Sequence, residues 1–177
     1  MIKFKQVYYL LLLLFYSNSI LSQNLESIGD ELFKLVNSAR IEHSLTPATY
    51  NEKLCKAAKI QSDYLLTIKK LDDITHVHPN PKLARCWDRV ASLSNDKNLV
   101  IYENITVFTY NSNDNIALRA HNNFMNSKKG HRQAVLLNNV GCLGDVYSIK
   151  YGQSIVYEPK HNWIIIVQLY ALHFEDD

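Results

Sequence analysis

Cysteine, proline and glycine are all scarce in this chain: its 177 residues include three, four and five of them. No tract is low in complexity and no internal repeat is present, which excludes repeat arrays and disordered linkers. Cys55, Cys86 and Cys142 permit one bridge at most, with a third thiol left over. Charge of one sign is also lacking. Removal of the first 22 residues takes Lys3 and Lys5 from a basic count of 19, leaving 17 against 17 acidic residues. A formally neutral chain gives no electrostatic case for nucleic acid or an anionic membrane as partner. No His-Glu-x-x-His helix is present, so a zinc protease of that type has no support. No serine stands in a nucleophile elbow.

Long apolar runs are missing as well. The longest, Val7–Tyr16, falls short of the roughly 20 residues that span a bilayer. Preceded by Lys3 and Lys5 and followed by small residues up to Ser22, it reads as an export signal over residues 1–22. No cysteine lies near Ser22, which excludes a lipoprotein site. Residues 23–177 then form one domain without a transmembrane segment, secreted or periplasmic, and large enough for a real core.

The rest of the chain divides by period. Leu25, Ile28, Leu32, Leu35, Val36 and Ala39 recur at helical spacing, and Thr46-Pro47 stops that helix. A second helix starts at the cap residue Asn51 and carries Leu54, Ala57, Ala58, Leu65 and Ile68, with Lys69 and Lys70 at its end. Leu83–Leu93 reads as a short helix, and Asp114 as the cap of another that carries Ile116, Ala117, Ala120 and Phe124. Val100–Phe108, Val140–Tyr147, Ser154–Tyr157 and Trp163–Leu172 read as strands, with turns at Asp145–Gln153 and Glu158–Asn162. Ile164–Val167 is continuously apolar, as in a strand covered on both faces. Helices first and strands last argue for an α+β fold with helices on an antiparallel sheet.

Leu35-Val36-Asn37-Ser38-Ala39-Arg40, Leu54 with Ala57 and Ala58, His76, Glu103-Asn104-Ile105, Ser127 with Gly130-His131-Arg132, Val140-Gly141 and Trp163–Leu169 occur in that order. In that order they resemble the CAP superfamily (cysteine-rich secretory proteins, antigen 5, pathogenesis-related 1), also called SCP domains, and the short Ser-x-x-Gly-His-Arg step is closest to bacterial members. The resemblance implies a three-layer α-β-α sandwich. It also implies a central cleft of two histidines and two acids. His76, His131 and Glu103 match three of these, while Phe124 and Ser127 stand at the aromatic and acidic places of the fourth.

Several chemistries fit those side chains. His76, His131 and Glu103 are ligand types for zinc or a similar divalent ion, and His78 could join from two residues along an extended segment. Alternatively, Glu103 ties loops together by hydrogen bonds, since buried polar groups must be paired. Ser127, His131 and Glu103 have the residue types of a hydrolytic triad, but Ser127 also suits the cap of a segment starting near His131. Arg132 suits an anion or a structural partner, and Asn104 is expected to be unglycosylated and bonded to backbone. Cys86 with Cys142 is the bridge expected if one forms. The resulting expectation is a secreted binding module for a small apolar, envelope or protein ligand, in a pocket bordered by 94–109. A metal-assisted hydrolase and a non-catalytic secreted scaffold are the alternatives.

Overall fold

In a computed structural model, residues 24–94, 99–137 and 148–173 are described. A first helix, α1, spans 24–42. After it come β1 (Thr49–Tyr50), α2 (Glu52–Leu65), α3 (Cys86–Ala91), β2 (Leu99–Thr109), α4 (Ile116–Met125), α5 (His131–Leu136), β3 (Ser148–Glu158) and β4 (Trp163–His173). The four strands form one sheet in the order β1-β3-β4-β2. It is antiparallel across β2, β4 and β3, with the two-residue β1 added in parallel at one edge.

β4 is the centre, and its sequence explains why. Alternate side chains leave a strand on opposite faces. Ile164, Ile166, Tyr170 and Leu172 therefore face α1, α4 and α5, where they meet Leu32, Val36, Ala117, Ala120, Phe124 and Val135. Ile165, Val167, Leu169 and Ala171 face α2 and α3, against Leu54, Ala57, Ala58, Leu65 and Val90. Two cores, one on each face, give the three α-β-α layers. Each large apolar side chain so buried contributes roughly 1.5–3 kcal/mol.

Gln168 breaks the apolar run of β4 and is fully buried. It is satisfied within a head-to-tail chain of hydrogen bonds. Tyr170 Oη donates to Gln168 Oε1 (2.9 Å), and Gln168 Nε2 donates to Tyr151 Oη (2.9 Å). Tyr151 Oη donates to Gln153 Oε1 (2.6 Å), and Gln153 Nε2 donates to the Gly29 carbonyl (2.7 Å). Burial raises the ionisation of both phenols above the ordinary tyrosine value, so they stay neutral donors.

Helix ends show where local signals were outvoted. α1 stops before Pro47, in a Schellman turn. The Leu45 N–H donates to the Arg40 carbonyl (2.9 Å), the Ser44 N–H donates to the Ile41 carbonyl (2.9 Å), and Ser44 takes φ +57°. Asn51 caps α2 as expected, its side chain accepting from the Leu54 N–H. However, α2 ends at Leu65, leaving Ile68 buried beyond it and no basic residue in its last turn. Asn115, not Asp114, caps α4, and Asp114 instead pairs with Arg119. The turn expected over Asp145–Gln153 is strand from Ser148 on. The strand expected at Val140–Tyr147 lies outside the described residues. Arg40, from the α1 signature, is buried and donates to the Thr46, Val135 and Leu136 carbonyls at 2.8, 2.8 and 2.9 Å, which ties α1 to the carbonyl end of α5.

Candidate functional site

β2 ends the sheet opposite β1, and its Glu103-Asn104 pair fastens both helical layers to it. Glu103 pairs with Leu169, whose side chain lies in the α2/α3 core, and Asn104 pairs with Gln168 on the other face. Strand alternation therefore sends Glu103 toward α3 and Asn104 toward α5. Asn104 is fully buried and its Nδ2 donates to the His131 carbonyl (3.0 Å), as the sequence led us to expect. A buried amide has no room for a glycan.

Glu103 is a node rather than a free carboxylate. Its Oε1 accepts from Nη2 of Arg89, a fully buried guanidinium on α3. Its Oε2 accepts from Nδ1 of His76 at 3.2 Å. Because a carboxylate oxygen can only accept, that imidazole nitrogen carries the proton and Nε2 is left to face outward. The His76 side chain is 50% exposed, whereas that of Glu103 is 3% exposed. Arg89 also donates to the Leu83 carbonyl (3.3 Å), which anchors the loop that carries the histidines. Sequence reasoning missed Arg89. The available signal was an arginine beside Val90 in the short helix Cys86-Trp87-Asp88-Arg89-Val90-Ala91, upstream of a strand glutamate.

His131 opens α5, its ring edge-on to Phe124 with centroids 5.8 Å apart. Burial, then the nearby charges of His76 and Lys129, hold it below the ordinary histidine value. The other candidates are elsewhere engaged. His78 Nδ1 accepts from the Asn80 N–H (3.1 Å) while its ring packs edge-on to Tyr64. Ser127 does not cap α5. Gly130, at φ +97°, is the cap residue, and Ser127 Oγ accepts from the Lys129 N–H (3.0 Å) in a local turn. Arg132 Nη2 donates to His43 Nε2 (3.0 Å). Among the described residues, no three His, Cys, Asp or Glu side chains gather as a metal-ligating set. Cys86 carries a free thiol, raised to about 11 chiefly by burial, and Cys142, with the bridge expected to it, lies outside the described residues. Of the 94–109 segment expected to border a pocket, 99–109 is strand β2 and 95–98 is not described.

Three histidines share one pH consequence. Burial is the leading cause that lowers His78, His121 and His131 below 6.5; repulsion from Arg89 adds to it at His78 and from His76 at His131, while Glu42 opposes it at His121. A lowered folded-state pKa means that the unfolded chain takes up protons first. Stability is therefore complete above pH 6.5 and is lost as pH falls from there through the folded values. Urea unfolding is expected to show a flat midpoint above neutrality and a decline as pH falls below 6.5. His121→Gln should shallow that decline, because the buried His121 Nδ1 has no partner to lose.

The family model described as the cysteine-rich secretory protein family matches residues 33–168, from inside α1 to Gln168 on β4. Among solved structures, an outer surface protein from Borrelia burgdorferi is similar, with a TM-score of 0.61 and 18% identity over 85% of this chain and 96% of that one. At that identity the likeness speaks for the fold alone. No curated protein matches the sequence. Among the described residues, no helix is long and apolar enough to cross a membrane.

Proposed function

The chain belongs to the cysteine-rich secretory protein (CAP) family, and from that premise we propose that it is an exported binding module that does not depend on a resident metal. It acts at the β2 edge, where His76 and His131 present imidazoles over a fixed Glu103-Asn104 base. Its ligand is a small apolar, envelope or protein component. Export rests on the leader at 1–22, and the surface location in the name of the Borrelia neighbour agrees with it.

The carrying observation is the double engagement of Glu103 by Arg89 and His76. A divalent ion on this carboxylate would share it with a buried guanidinium, which stays charged at any physiological pH. Like charges at such range in a desolvated site oppose each other strongly. Ser127 in place of a second acid offers no compensating negative charge. The donor set therefore does not fit a resident metal centre. Nor is Glu103 free to act as a general base, since each of its oxygens already accepts a hydrogen bond and its side chain is 3% exposed. Exposed Val77 and Trp87 flank the node in sequence and supply apolar surface for a ligand.

A saturable, one-to-one displacement of a fluorescent fatty acid, unchanged by a chelator, is the expected result for an apolar ligand. Absence of uptake leaves the envelope or protein form, read by pull-down from an envelope fraction. Tight stoichiometric zinc binding that disappears in His131→Ala would overturn the proposal in favour of a metal-assisted hydrolase.

A further inference from the structure

At the opposite edge of the sheet, α1, β1 and β3 line an open groove of about 540 Å3. That is the size range of small-molecule pockets. Leu25, Phe33, Tyr50 and Ile155 supply apolar and aromatic walls, and Glu26 and Asp30 supply two carboxylates; no basic side chain lines it. Glu26 and Asp30 are one helical turn apart on the same face of α1, a spacing at which like charges oppose helix formation. Neither carboxylate has an ion pair or hydrogen bond among the described residues. The helix dipole favours acids only in the first turn, so it does not account for Asp30. Negative charge is thus concentrated on a groove wall that, among the described residues, is lined by no basic side chain.

The rings beside it are fixed. Phe33 stacks on the buried Tyr151 with centroids 5.2 Å apart, and meets Tyr50 edge-to-face at 5.7 Å. Aromatic faces attract cations through their quadrupole, and quaternary ammonium groups are frequent occupants of such walls. The floor is fixed too, because Gln153 reaches the backbone of the bare Gly29 at 2.7 Å. The Tyr50 hydroxyl is held well above its ordinary value by burial, then by Cys55, then by Asp30 and Glu26, so the field of the two carboxylates reaches across the groove.

We propose that this groove binds an organic ammonium cation, stacked on Phe33 and Tyr50 and neutralised by Asp30 and Glu26. The site is separate from the β2-edge cleft and does not rest on the reading of that cleft.

Calorimetric titration of the purified protein with choline, with ethanolamine, and with 3,3-dimethyl-1-butanol, the uncharged isostere of choline, tests it. Choline is expected to saturate one site and the isostere to leave no signal. Asp30→Asn should weaken binding about tenfold, Phe33→Leu about fivefold, and raising salt from about 50 mM to about 500 mM should weaken it further. Tighter binding of ethanolamine than of choline assigns the site to primary ammonium ions, still within the proposal. Loss of saturation for both cations, equal binding of the isostere, or an unchanged Asp30→Asn variant would overturn it. Asp30 is exposed, so its substitution leaves the fold intact and the result readable.

Discussion

Glu103→Ala is expected to cost about 3–5 kcal/mol of folding stability. The reason is the partner left behind. Arg89 is fully buried, and among the described residues its Nε lacks a partner and its other bond is to the Leu83 carbonyl. Removing the carboxylate strands a guanidinium that cannot shed its proton. Against a usual total of about 5–15 kcal/mol, that is a large share of the fold. Glu103→Gln keeps an acceptor and should fall between the two. Replacing both partners by apolar residues, Arg89→Met with Glu103→Leu, should recover most of the loss, because both desolvation penalties vanish together. Urea unfolding at neutral pH measures all four proteins. A Glu103→Ala variant within about 1 kcal/mol of the parent would mean that Arg89 is not held by Glu103, and the node at the base of the cleft would be lost.

Gly152→Ala is expected to destabilise by about 3 kcal/mol. Gly152 lies on β3 where α2 crosses the sheet. A Cβ there would sit 2.4 Å from Leu54 Cβ and 2.5 Å from the Cys55 nitrogen and the Leu54 carbonyl carbon. Two of those atoms are helix backbone, so relief requires α2 to move away from the core it shares with Ile165 and Val167. Gly29→Ala is the control. Its new Cβ would crowd the end of the Gln153 side chain, Nε2 at 2.8 Å, and lie at ordinary contact distance (3.8 Å) from Ile155 Cδ1. The gain in helix propensity, about 1 kcal/mol, offsets the disturbed hydrogen bond. Thermal denaturation of the pair should show a clear drop for Gly152→Ala and little change for Gly29→Ala. Equal effects would contradict the close α2–β3 contact.

Much of the architecture is legible along the chain because it depends on periodicity. The 3.6-residue stripe of α1, the Asn51 cap and the unbroken Ile164–Val167 run are each local patterns, and each appears where the pattern puts it. Signals that rest on one residue fared less well. Asp114 and Asn115 are both good caps, and only the contact of Arg119 with Asp114 decides between them. Ser148–Gln153 contains serine, lysine and glycine and reads as a turn, yet pairing with β4 on one side and β1 on the other extends it.

The order of motifs was enough to identify the family. Order along a chain, however, carries no information on which partner satisfies a buried charge. That depends on desolvation, and desolvation exists only once the helical layers have closed on the sheet. The closing of α3 over β2 gave Glu103 to Arg89. At the far edge, Glu26 and Asp30 share a groove with Phe33 and Tyr50 that no basic side chain among the described residues lines.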